Sequence, residues 1–247
     1  MTDVVIDVHR PTPEAEWAAG GLQRLAPFEP GPPSTVVVVA PHPDDEVLGV
    51  GGLLQALHRA GHHIELVAVT DGEASHPGSL AMSPDVLASV RRIEAAEARR
   101  ALGLHHCKTI HVGLPDGAVA DHEDRLAGVL ADRLDADAIV LATWRGDGHP
   151  DHEATGRAAA SAAATTGARL VEYPVWAWSW ARPGDRRVPW ATASAVPFDT
   201  EAQQAKRRAI QSFRSQLEPL GPTEAGGPVL PEAVLAHHLR PFEVVFG

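Results

Sequence analysis

Cysteine is nearly absent from this chain. Cys107 is the only one in 247 residues, so an intrachain disulfide, a cysteine zinc knuckle and a dithiol redox centre are all excluded. Any bound metal must then use imidazoles and carboxylates. Positive charge is also scarce: 21 Lys and Arg face 32 Asp and Glu, for a formal charge of -11. That field opposes polyanions such as nucleic acid and anionic lipid surfaces, and it suits a small neutral substrate. No apolar run approaches the ~18 residues of a membrane span, and the N-terminal stretch holds no apolar signal core. The expectation is a soluble, cytoplasmic protein with no membrane span.

Aromatic residues make up only 5% of the chain, yet Trp176, Trp178 and Trp180 fall in one short stretch. As a strand, their alternation with small residues would put all of them on one face. Core or interface packing is the commoner use of such a group and is favoured here over stacking on a sugar. Used as an interface, it would make the chain a homo-oligomer.

What the chain has in quantity is apolar patterning. With 44% hydrophobic residues, it can bury a sizeable core as one α/β domain. Apolar strand-like runs alternate with Ala/Leu-rich helical patterns, which predicts a Rossmann-like, doubly wound, mostly parallel sheet with helices on both faces. Strands are expected over 36–40, 64–70, 108–112, 137–142, 169–173 and 242–246. Helices are expected over 47–60, closed by Gly61, and over 85–102, with Pro84 at its start and Val86, Leu87, Val90 and Ile93 as its apolar stripe. Further helices are expected over 121–134, 153–166 and 200–217. Residues 1–33, rich in proline, read as an N-terminal extension, and 34–247 as the folded domain.

Two polar clusters carry the chemistry, each placed after a predicted strand. Val36-Val37-Val38-Val39-Ala40 runs into Pro41-His42-Pro43-Asp44-Asp45-Glu46, and Ala138-Ile139-Val140-Leu141-Ala142 is followed by Asp147-Gly148-His149-Pro150-Asp151-His152. Ligands of open α/β sheets lie outside the carboxyl ends of the strands, so both clusters are expected at one edge. His42 and Asp45 enter a helix three positions apart and can aim at a common point. His152, from the other loop, can close a His/Asp/His set. Three protein ligands with water in the fourth position is the usual form of a catalytic zinc; iron, cobalt or nickel also suit such a set. Asp44 is then a ligand's neighbour, placed to take a proton from the attacking water. His149 can stabilise an oxyanion or protonate a leaving nitrogen, and Asp151 can hold an imidazole in one tautomer. The implied reaction is hydrolysis of a carbonyl compound. Either cluster alone has a plainer explanation, since proline and acidic residues suit a helix start. Their pairing is what favours a metal site.

Pro41-His42-Pro43-Asp44-Asp45-Glu46 and His149-Pro150-Asp151-His152 resemble the two defining motifs of zinc-dependent de-N-acetylases of the PIG-L or LmbE-like type. The resemblance implies one Zn2+ on His42, Asp45 and His152, with Asp44 as general base and His149 as electrostatic or acid catalyst. It implies removal of an acetyl group from an N-acetylated sugar or glycoconjugate of the N-acetylglucosamine type. An amide of a thiol conjugate or natural product would use the same chemistry. A non-catalytic ligand-binding module of the same fold is the alternative of a different class, but a nucleotide module would want a glycine-rich loop where Pro41, His42 and Pro43 stand. Gly49-Val50-Gly51-Gly52 resembles the family's glycine-bearing helix, which packs close to the sheet. Arg91 resembles its substrate-contacting arginine and Asp116 its hydroxyl-binding carboxylate; surface charge and turn chemistry are their plain alternatives.

The remaining histidines fall outside this set. His105, His106 and His111 around Cys107 are too irregular for a second metal site and read as structural. His58, His62 and His63 are expected at the surface or a strand edge. His237, His238, Arg240 and Glu243 are C-terminal groups that can reach the site, and they are not assigned to it.

Overall fold

Four consecutive valines lack the alternation of a half-exposed strand, and β2 (Thr35–Ala40) is buried on both faces. Val36, Val38 and Ala40 enter one hydrophobic cluster, whereas Val37 and Val39 enter another, as a central strand covered by helices on each side requires. The computed structural model describes residues 6–221 and 227–247. In it, β2 pairs in parallel with β3 (His63–Ala68) and β5 (Ile139–Thr143). β4 (Lys108–His111) lies beyond β3, and β6 (Arg169–Tyr173) lies beyond β5. With β1 (Ala26–Pro27), β7 (Ala193–Pro197) and β8 (Phe242–Phe246), the single domain has an eight-stranded sheet in the order β1-β7-β8-β6-β5-β2-β3-β4. β8 is antiparallel to both neighbours, so the expected doubly wound sheet is mixed but mostly parallel.

On one face, α2 (Asp45–Arg59), α3 (Pro84–Ala101) and α7 (Thr200–Ile210) bury apolar residues against the even-numbered side of β2. On the other, α4 (Glu123–Ala131) and α5 (Pro150–Thr166) cover Val37 and Val39. The alanines of α5 allow a close approach, and Gly156 allows a closer one: a methyl there would stand 2.5 Å from the Thr143 carbonyl oxygen. Within the stretch read as an extension, β1 pairs with β7 and the one buried residue of α1 (Glu14–Ala19), Trp17, packs edge-on to Trp178 at 5.0 Å.

Several elements depart from the sequence pattern. The buried face of α3 carries Leu87, Ala88, Arg91, Glu94, Ala95 and Ala98, while Val86 and Ile93 are 51% and 61% exposed. The apolar stripe misled because Arg91 and Glu94 find buried partners, Asp44 and Ser215, which periodicity cannot see. The helix expected over 121–134 begins as a 3-10 turn, Val119–His122. The helix expected over 200–217 breaks at Phe213, which turns fully into the core, and resumes as α8 (Arg214–Leu217). The tryptophan stretch is a helical turn, α6 (Ala177–Trp180), rather than a strand. α5 starts at Pro150, so Asp151 and His152 stand on its first turn rather than in a loop; proline is pre-shaped for that first position. His62 is buried, 3% exposed, and accepts a hydrogen bond from the Ser34 backbone N–H. A last helix, α9 (Glu232–His238), precedes β8. Among the described residues, no helix is long and apolar enough to cross a membrane.

Candidate metal centre and its cavity

The strand ends deliver the two motifs to one place. Past β2, the chain turns through Pro41-His42-Pro43 into the first turn of α2, which carries Asp45. Past β5, the loop 144–149 leads into α5 with His149 as its N-cap. Because β2 and β5 are adjacent and parallel, both carboxyl ends lie at the same edge.

His42 Nδ1, Asp45 Oδ2 and His152 Nε2 form a nearly equilateral triangle, with sides of 3.2 Å, 3.2 Å and 3.3 Å. Ligand atoms about 2.0 to 2.1 Å from a tetrahedral ion stand about 3.3 Å apart, so the donor set fits a small divalent metal. The outer nitrogens of both imidazoles are fixed by carboxylates. His152 Nδ1 lies 2.8 Å from Asp147 Oδ2, and Asp147 also accepts from the backbone N–H groups of Val175, Trp176 and Ala177. Held this way, Asp147 is an acceptor, so His152 donates from Nδ1 and turns the lone pair of Nε2 inward. His42 Nε2 lies 3.1 Å from Asp116 Oδ1 and 3.2 Å from Asp151 Oδ2, which leaves Nδ1 for the triangle. Asp151 is itself tied down by the backbone N–H groups of Gly117 and Val119.

These carboxylates dominate the electrostatics. Burial opposes a charge on His152, yet Asp45 and Asp147 outweigh it and lift its pKa to about 9. His42 is likewise raised, against its burial, by Asp116, Asp151 and Asp45. A site that makes cations of buried imidazoles is built to receive positive charge.

Asp44 points beside the triangle. Burial pushes its carboxyl up to about 7, against the pull of Arg91, whose Nη2 donates to Asp44 Oδ2 at 3.0 Å. Arg91 also donates to the Gly72 and Pro43 carbonyls, so the residue expected to contact substrate is spent largely on the protein. Asp116, expected to bind a hydroxyl, accepts from the Ala74 backbone N–H as well as facing His42. His149 Nδ1 accepts from the Asp151 backbone N–H, so its proton sits on Nε2. Burial and the neighbouring imidazoles lower its pKa to about 3, which keeps the ring neutral. Glu46 turns elsewhere: it lines a small space with Thr70, Arg92 and Arg99, and burial pushes it up to about 7.

A cavity of about 310 Å³ opens over this floor, lined by His42, Asp44, Asp45, Arg91, Asp116 and His149 below. Leu48, Trp176, Gln216 and Leu230 are among the residues of its wall. Trp178 packs in the core, whereas Trp180 donates from Nε1 to the Asp147 carbonyl at 2.7 Å. The support given by Asp147 and Trp180 was not assigned from sequence; a carboxylate at a strand exit, five residues before His152, is the signal that was available.

The two motifs lie inside a match to the family model described as PIG-L, GlcNAc-PI de-N-acetylase, over residues 37–163, just over half of the chain. The chain belongs to the PIG-L family. A curated relative within reach of this family member is the 1D-myo-inositol 2-acetamido-2-deoxy-alpha-D-glucopyranoside deacetylase of Kineococcus radiotolerans, 32% identical over 65% of this chain and 52% of that one. The chain spans about half the length of the curated relatives it matches. Among solved structures, a conserved protein of Thermus thermophilus is 29% identical, with a TM-score of 0.56 over 74% of this chain and 79% of that one. The N,N'-diacetylchitobiose deacetylase of Pyrococcus horikoshii, 23% identical, shares the fold with a TM-score of 0.58 over 75% of this chain and 71% of that one.

Proposed function

We propose that this PIG-L family member is a metal-dependent hydrolase that removes the acetyl group from a neutral N-acetylated sugar or glycoconjugate. The observation that carries the reading is the triangle of His42, Asp45 and His152 at the floor of a cavity that also holds Asp44 and His149. Zinc is the proposed ion, and when bound it supplies Lewis acidity that polarises the acetyl carbonyl and acidifies an attacking water.

The side chains supply the rest. Asp44, a carboxylate with a pKa brought near neutrality, takes the proton of the attacking water. Arg91 holds Asp44 in place and keeps part of its population ionised despite burial. His149, held neutral, offers Nε2–H to the developing oxyanion, and Asp44, protonated by the attacking water, returns that proton to the leaving amine. Asp147 and Asp151 keep the ligand imidazoles in the tautomers the metal requires.

Charge on the cavity wall supports a neutral substrate. Arg91 is the only Lys or Arg lining the cavity among the described residues, and its terminal N–H groups donate to Asp44, Pro43 and Gly72. The neutral inositol glycoside named for the Kineococcus relative is therefore a better guide than a phosphorylated one. The test is an acetate-release screen over N-acetylated sugars, with the protein stripped of metal and then reloaded with zinc. Metal-dependent acetate release is expected from neutral N-acetylglucosamine glycosides. If the zinc-loaded protein binds such glycosides and releases no acetate, the hydrolase reading falls and a binding module takes its place.

A further inference from the structure

Helix α2 brings Asp45 to the metal centre in its first turn and is broken a turn later. Val50 has φ -138° and ψ 18°, outside the helical region. In an unbroken helix, Gly52 N–H would donate to the Leu48 carbonyl and Leu53 N–H to that of Gly49. At the kink, the Gly52 and Leu53 N–H groups donate to the two oxygens of Glu243, at 2.7 Å and 2.8 Å. The Leu48 carbonyl accepts from Lys206 Nζ at 2.8 Å and from His238 Nδ1 at 3.2 Å. Lys206 Nζ then closes on Glu243 Oε1 at 2.6 Å.

The arrangement caps two half-helices at once. A carboxylate sits at the start of the second half and an ammonium at the end of the first, each sign matching the helix dipole it meets. Lys206, His238 and Glu243 are 2%, 3% and 5% exposed, so the network is sealed from water. An apolar pair of similar volume often serves stability as well as a buried ion pair does, so stability alone is a weak reason for this one. Geometry is the stronger reason. Leu48 N–H donates to the Asp44 carbonyl, which places the residue gripped by Lys206 one hydrogen bond from the turn that holds Asp44 and Asp45. The glycines fix the same segment from outside, since a methyl on Gly49 would meet the Tyr173 ring and one on Gly52 the Phe198 ring.

We propose that Lys206 and Glu243 are positioning residues for the metal centre. By capping the two halves of the broken α2 they set the direction of its first turn, and with it the place of Asp45 Oδ2 opposite His42 Nδ1 and His152 Nε2. The inference rests on the metal reading of that triangle.

The deciding experiment compares the unaltered chain with Lys206→Met/Glu243→Gln, which removes both charges together and leaves neither orphaned. Folding is checked by circular dichroism. Zinc affinity is then read by chelator competition, and site geometry by the visible absorption bands of bound Co2+. The double variant should keep native circular dichroism, bind zinc about tenfold or more weakly, as partners that orient metal ligands typically do when lost, and show displaced Co2+ bands. Unchanged affinity and an unchanged Co2+ spectrum in the folded variant overturn the proposal, even if its melting temperature falls. If the double variant does not fold, Glu243→Asp, which keeps the charge facing Lys206 and both carboxylate oxygens but draws them back by one methylene, is decided by the same two readings. Failure of the unaltered chain to bind zinc or Co2+ is a separate outcome that removes the metal reading and this inference with it.

Discussion

Two buried charged clusters bracket the first turn of α2, and they balance in different ways. Behind the turn, Lys206 and Glu243 neutralise each other at 2.6 Å. In front of it, Asp45, Asp116, Asp147 and Asp151 form ion pairs with the imidazoles of His42 and His152, and none with a Lys or Arg, among the described residues. Burial of charge is common to both clusters and marks neither as a site. The distinction lies in which side supplies the cation. One cluster contains its own ammonium and is complete as protein; the other gathers carboxylates around two imidazoles whose inner nitrogens converge with a carboxylate oxygen at the spacing of metal ligands.

The sharpest way to break the comparison is His152→Ala. It should abolish stoichiometric zinc and with it all metal-dependent acetate release, measured by elemental analysis and an acetate assay. Asp44→Ala should keep the metal and lose about 10²- to 10⁴-fold in turnover; a metal-free Asp44 variant would move this residue into the ligand set. Asp147→Asn leaves the triangle intact but replaces the oxygen shared by His152 Nδ1 and the Trp176 N–H with an amide nitrogen, so zinc should bind about 10- to 100-fold more weakly by chelator competition.

Proton competition separates the clusters by sign. The raised pKa of His152, about 9, stabilises the metal-free fold below the ordinary histidine value, and that contribution is lost as pH climbs through 9. Metal requires the unprotonated ring, so zinc affinity should run oppositely, rising from about pH 6 to about pH 9. A flat affinity profile would show that the imidazoles are not the ligands. The smallest effect is expected from Gly49→Ala, which crowds Tyr173 and should lower stability by about 1 to 3 kcal/mol in denaturant titration.

The parts of this molecule that were legible in sequence are those fixed by short spacing. The valine run of β2 announced a strand buried on both faces, and His42 with Asp45 announced a convergent pair because a helix entry brings positions three apart to one side. α3 was misread on the same kind of evidence. Its apolar stripe ran through Val86 and Ile93, but the helix turns Arg91 and Glu94 inward because Asp44 and Ser215 wait for them. The tryptophans alternate like a strand and fold as a turn, since the Asp147 carboxylate collects the backbone N–H groups of Val175, Trp176 and Ala177.

Sequence by itself determined which atoms could bind a metal and that they would leave the sheet at strand ends, because chain spacing and strand periodicity are local. It also determined, through a single cysteine, that those atoms are nitrogen and oxygen. Only the tertiary structure decided that Asp147 orients His152, that Asp151 and Asp116 share His42, and that Lys206 and Glu243 hold the broken helix. Those pairings join residues far apart in the chain, and the worth of a buried charge depends on the partner that folding brings to it.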